Sequence, residues 1–335
     1  MMMMISVGTR SSYSVGLHPN RIFEQQNLLN ERIRLTAHRQ ETTVRDLLVL
    51  YDRENRHMGS VNVSSVLVNL AHLARRRGQL ATARHERFFD HLTRRTFDLL
   101  PEMSPASLAD VALAFSVLAV TERDLLERLW EEVLPKIEAT ASAPSASAAS
   151  EAGASSPQAH SSSSNSDSSV AEALLNHFGP KDLSKLADAL LNFHHLLSAT
   201  TSEGEGSVHA NPLFLPPTPA GVAGGSGVVV PLGRVLPLLS KATVANVASF
   251  TPQQLVNISR CLAQLGGGGD QQQQKALFEA VEGAAVPKIS RFSPGQMESL
   301  VWCFAKAQRP TSTLLQAVTH QAGLLRVTFD NIAPQ

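Results

Sequence analysis

The sequence predicts an all-α fold: an α-solenoid of helix-turn-helix repeats with low-complexity loop insertions. Three observations lead there. The first is a phrase that recurs four times. Ser104–Leu118 reads SPASLADVALAFSVL, Phe178–Phe193 reads FGPKDLSKLADALLNF, Phe250–Leu265 reads FTPQQLVNISRCLAQL and Phe292–Ala307 reads FSPGQMESLVWCFAKA. Counted from the proline, apolar residues fall at +3, +6, +10 and +13 in every copy, as in Leu255, Ile258, Leu262 and Leu265. That spacing is one stripe of an α-helix, opened by Ser or Thr as N-cap and Pro at the first helical position, with Gly179 at the cap in one copy. The second observation is composition: 43% hydrophobic but only 5% aromatic, with Ala, Leu and Val as the apolar mass. This favours closely packed helices over a β-sandwich, whose strands want β-branched and aromatic residues. The third is that the low-complexity runs fall at the turns of the unit, where an array tolerates insertion without loss of packing.

Along the chain, residues 1–23 carry Arg10 and Arg21, several Ser and no Asp or Glu. The profile fits an organellar transit peptide, with a plain disordered N-terminus as the alternative. A basic group of helical repeats is expected over 24–139. Its opening, 24–57, reads as a degenerate first hairpin or capping helix pair, with Ile33, Leu35, Val44, Leu47, Leu48 and Leu50 as apolar faces. Ser60–Leu73 is a fifth copy by periodicity alone, with Val63, Val66, Leu70 and Leu73 in register and no proline, and Arg84–Leu100 follows as its partner. Asp124–Ile137 follows the next copy and closes with Leu134-Pro135-Lys136-Ile137; Gln274–Ile289 closes with the near-identical Val286-Pro287-Lys288-Ile289. The unit is therefore helix A, turn, helix B, turn. A Ser/Ala-rich linker is expected at 140–169. The remaining repeats occupy 170–335, with a Gly/Pro-rich disordered insertion at about 198–227 and a Gly-then-Gln run over Gly266–Gln274.

The net charge of zero hides a split. Residues 1–100 hold 15 Arg, no Lys and 9 Asp plus Glu, a net +6, and the rest of the chain carries −6. The densest cluster is Arg75, Arg76, Arg77, Arg84, Arg87, Arg94 and Arg95, offset only by Glu86 and Asp90. Guanidinium pairs bidentately with phosphate oxygens, so this patch is a candidate for nucleic acid, against a solvated face or docking onto an acidic protein. No run of about 18 apolar residues is present, so no membrane span is expected.

Other chemistry finds little footing. Gly266–Gly269 is followed by Asp270 and glutamines, not by the Lys-Ser/Thr of a phosphate loop. Cys261 and Cys303 share the +9 position, which Ala114 and Ala189 fill elsewhere, and so read as a small packing site. His194 and His195, with His177 upstream, are adjacent and cannot chelate together on a helix. No His-Glu-x-x-His, Cys-x-x-Cys or Gly-x-Ser-x-Gly occurs. Trp130 and Trp302, each among apolar neighbours, read as core anchors. No catalytic residue, cofactor or metal is expected, and the chain does not read as an enzyme.

With the units laid out, the phrase Phe-Ser/Thr-Pro-x-x-Leu, followed by small and apolar residues ending in Cys/Ala-Leu/Phe-Ala, resembles the repeats of octotricopeptide and heptatricopeptide proteins. It is also similar to the repeats that precede RAP domains and to those of FAST-kinase-like mitochondrial proteins. The resemblance covers residues 60–323 between the insertions; Phe292–Ala307 matches best, and no RAP-like domain follows it. It implies a protein of the mitochondrial matrix, or alternatively of a plastid, that binds organellar RNA (rRNA or mRNA), in or beside the ribosome with ribosomal or other RNA-binding proteins as partners. It further implies that helix A presents its outward polar residues to RNA: here Asn69, Asp110, Asn192, Asn257, Arg260, Ser299 and Lys306, with Asn257, Arg260 and Lys306 joining the arginine cluster as candidate contacts. The rival expectation is a protein-interaction scaffold of an organellar complex, without direct RNA binding.

Overall fold

The computed structural model describes residues 19–142, 177–201, 231–266, 271–309 and 312–332. Their regular structure is entirely helical: thirteen α-helices with short 3-10 turns and no strand among the described residues. The helices are α1 (Pro19–His38), α2 (Val44–Glu54), α3 (Ser60–Arg77), α4 (Leu80–His85), α5 (Arg87–Leu99), α6 (Pro105–Val117) and α7 (Arg123–Ser142). After them come α8 (Pro180–Thr201), α9 (Leu232–Asn246), α10 (Pro252–Leu265), α11 (Gln271–Ala285), α12 (Pro294–Lys306) and α13 (Ser312–Ile332).

Two rows account for the packing. In row one, α1, α3, α6, α8, α10 and α12 each pack on the helix before; in row two, α2, α5, α7, α9, α11 and α13 do the same. Consecutive members of the two rows also touch, which gives six helix pairs. The repeated stripe is the seam between the rows. Val63, Leu108, Leu183, Leu255 and Met297 at +3, and Leu70, Phe115, Leu190, Leu262 and Phe304 at +10, are all buried in one continuous core. In the four copies of the phrase, Cys261, Cys303, Ala114 and Ala189 at +9 are buried among them, so a small side chain is what this position holds there between neighbouring helices; α3 has the half-buried Asn69.

Five row-one helices begin alike, and their residues explain why. Two positions before the first helical residue stands a large buried side chain: Met58, Met103, Phe178, Phe250 or Phe292. Together with the +3 residue it occupies the positions of a hydrophobic staple, which fixes the angle at which the chain enters the helix. Between them, Ser104, Thr251 and Ser293 accept from the amides of Ser107, Gln254 and Gln296. In return Gln254 and Gln296 accept from the amides of Thr251 (2.8 Å) and Ser293 (2.9 Å), completing two capping boxes. Asp182 accepts from Gly179 and Asn62 from Gly59 in the same way. The proline-free fifth copy, α3, therefore has the same entry as the others.

The closing motif of the row-two helices also has a structural role. Lys136 donates to the carbonyl of Met103 (3.4 Å), and Lys288 donates to the carbonyls of Ala248 (2.6 Å) and Phe250 (2.9 Å). Met103 and Phe250 are equivalent positions, so each lysine clasps the end of its own pair back onto the approach to its row-one helix.

Some boundaries differ from expectation. Helix α1 starts at Pro19, and α9 runs through an exposed Pro237 in a stretch that has no copy of the stripe; packing against α7 and α11 holds it. Gln271–Gln274 form the first turn of α11 instead of a loop, and Gln273 donates to the carbonyl of Pro237 (2.6 Å). Apart from their helical margins, the expected transit segment, the 140–169 linker and the 198–227 insertion lie outside the described residues. None of the described helices is long and apolar enough to cross a membrane.

Candidate nucleic-acid interface

The arginine cluster spans three helices, with Arg75, Arg76 and Arg77 at the end of α3, Arg84 on α4 and Arg87, Arg94 and Arg95 on the row-two helix α5, and backbone carbonyls hold part of it. Arg76 donates to the carbonyl of Ala37 (3.3 Å) and Arg77 to that of Gln40, so both cap the end of α1. Arg84 donates to the carbonyl of Ala119 (3.4 Å), past the end of α6. Cations at helix C-termini are favourable because the last carbonyls lack partners and carry partial negative charge. A carbonyl bond leaves the guanidinium charge uncompensated. No carboxylate among the described residues lies within ion-pair distance of Arg75, Arg76, Arg77, Arg84, Arg87 or Arg94, and all six are exposed. Arg87 lies 5.7 Å from the centroid of the Phe88 ring. Arg95 differs: it is half-buried, and its charge acts on the buried Tyr51 hydroxyl, whose pKa burial pushes up.

Charge is managed differently farther along row one. Lys185 sits 2.6 Å from Asp110 on α6 and 3.5 Å from Asp182, a bridge that the sequence reading missed. Asn192 donates to Ser116 (3.1 Å), and Asn257 donates to Asp188 (2.8 Å) and Ser184 (3.3 Å). Asp110, Asn192 and Asn257 therefore join neighbouring helices and are only half open to solvent. Ser299 turns back to the carbonyl of Gly295, and Asn69 to that of Ser65. Arg260 and Lys306 are exposed, and Arg260 reaches 3.6 Å from Asp188.

Asp188 is where the two parts of the predicted site meet. Burial raises its pKa, while the charges of Arg260 and Arg75 and the hydrogen bond from Asn257 oppose that rise. Arg75 thus acts on the same carboxylate as Arg260, with α6 and α8 between their helices. Asp188 holds the +8 position, as Arg260 does, and that shared register is the signal by which the sequence could have revealed it.

Trp130 is buried, at 1% exposure, whereas Trp302 is 45% exposed, against the expectation that both anchor the core. Trp302 also stands at +8, whose other occupants are Val68, Leu113, Asp188 and Arg260. The position faces along the row-one surface and not into the seam.

A cavity of about 300 Å³ opens between α9, α10 and α11, lined by Leu232, Leu236, Leu262, Leu265 and Leu277 with Ser240, Gln273 and Gln274; no ionisable side chain lines it. No group of three or more His, Cys, Asp or Glu side chains among the described residues is placed to hold a metal ion. Neither known protein families nor curated proteins gave a match to this chain.

Proposed function

We propose that this chain is an α-solenoid of the octotricopeptide/heptatricopeptide type that binds single-stranded RNA in an organelle, with the mitochondrial matrix as its site and the ribosome or its RNA as its setting. The observation that carries this reading is the set of six exposed arginines with no carboxylate of the described residues within ion-pair distance, three of them oriented by backbone carbonyls. A guanidinium fixed at a helix end loses less freedom when it meets a phosphate, and it keeps its remaining N–H donors for that contact. The two-row packing supports the solenoid reading, because such arrays offer one row of helices as a continuous binding surface. The acid-free segment 1–23 supports the organelle. The test is filter binding of single-stranded rRNA fragments to the wild-type chain and to a variant with Arg75, Arg87 and Arg94 all changed to Ala, which spares the three capping arginines. Loss of affinity that is uniform across sequences supports phosphate contact; equal affinity of the two proteins sinks it.

A second reading, a protein-interaction scaffold, is favoured by one observation: the acids and bases on α6, α8 and α10 satisfy each other and leave that stretch nearly neutral. Partners that co-purify equally with and without RNase treatment would select it.

A further inference from the structure

Two large aromatics are exposed on row-one helices, Phe23 at 68% on α1 and Trp302 at 45% on α12, and Trp302 is the one that stands in the repeat register. Its companion Trp130 is fully within the core, so the chain does not expose tryptophan indiscriminately. Trp302 shares the +8 register with Arg260 on the preceding row-one helix, α10, which packs on α12. Lys306 lies one turn on, at i+4, and Glu298 one turn back, at i−4; both are exposed on the same flank of α12. An exposed aromatic plane with a cation one turn on and a carboxylate one turn back along the same helix suits a nucleotide: the base has a π-face to stack, and the phosphate seeks Lys306.

We infer that Trp302 is a stacking platform for an unpaired nucleobase, with the sugar-phosphate backbone lying on the Lys306 side and turned away from Glu298. This rests on the RNA-binding reading and adds to it a specific position and a strand path. Stacking tolerates any base, because every base has a π-face, so the platform adds affinity with little sequence preference.

The experiment uses the full chain, fluorescein-labelled polyadenylate and polyuridylate oligomers, and two readouts: label anisotropy for binding and tryptophan emission for stacking. With only two tryptophans in the chain and one of them buried, emission changes on binding report Trp302. The expected result is quenching of that emission, a loss of affinity of roughly 5- to 150-fold in Trp302→Ala, equivalent to one stacked base, and near-full affinity in Trp302→Phe. Lys306→Ala weakens binding and Glu298→Gln strengthens it. Binding by anisotropy with no quenching, and with Trp302→Ala equal to wild type, overturns the platform and leaves RNA binding intact. No anisotropy change with either oligomer overturns RNA binding and the platform together. An unchanged thermal midpoint in Trp302→Ala separates lost contact from lost fold.

Discussion

Replacing Lys288 with Met removes the ammonium and keeps most of the side-chain volume, which isolates the clasp at the end of α11. Two hydrogen bonds are lost, at 2.6 Å to Ala248 and 2.9 Å to Phe250. Hydrogen bonds to charged groups contribute about 1.5–3 kcal/mol each when well shielded. Lys288 is half-buried and its partner carbonyls gain water when it leaves, so the expected net cost is about 1–2 kcal/mol. For a chain of this size that lowers the midpoint of thermal unfolding by roughly 2–8 °C. The equivalent Lys136→Met removes a single bond at 3.4 Å and should cost well under 1 kcal/mol. Circular dichroism melts give both values. Native-state hydrogen exchange should locate the Lys288 effect at the start of α10, because its two bonds hold the carbonyls of Ala248 and Phe250 just ahead of that helix. Equal costs for the two lysines, or no cost for Lys288→Met, would refute the clasp.

Further consequences can be checked the same way. Thr251→Ala and Ser293→Ala each break a capping box and should each cost about 1 kcal/mol in denaturant titrations. Gln308, with φ of 54°, holds the left-handed position just past α12, where a side chain is strained; Gln308→Gly should stabilise by about 0.5–1 kcal/mol, seen as a raised melting midpoint. Burial pushes the Cys303 thiol up to about 12 and raises Cys261 as well, so neither should react with a thiol reagent at pH 8 until the chain unfolds. The folded chain then holds protons that the unfolded chain releases above its ordinary thiol pKa of about 8.5, so this contribution to stability is lost as pH rises from there towards 12. Asp188→Asn should free the charge of Arg260 and tighten binding to a polyanion, measured against heparin or single-stranded RNA.

The row-one stripe was legible in the sequence because its period is a property of one helix. Leu255, Ile258 and Leu262 face the core for the same reason in every copy. Helix α9 was legible only as the helix B due after the 198–227 insertion: Pro237 falls inside it and its stripe has no counterpart, so packing against α7 and α11 holds it, which sequence periodicity cannot report. The arginine cluster was legible as charge, but not the division of its labour, since Arg76 and Arg77 are committed by the carbonyls of a different helix. Trp302 was misjudged from its immediate neighbours. Its register with Arg260 and Asp188 carried the better signal, because an aligned position reports which way a side chain faces and apolar neighbours do not.

On the proposed reading, the exposed arginines of α3, α4 and α5 grip the phosphates of a single strand. The most direct test is the salt dependence of that binding in the wild-type chain and in the variant lacking Arg75, Arg87 and Arg94. The account predicts a linear fall of log affinity with log salt concentration, with a slope that shrinks by about 2 in the variant, since each lost phosphate contact removes about 0.7. Affinity that does not respond to salt, or one slope shared by both proteins, would contradict it.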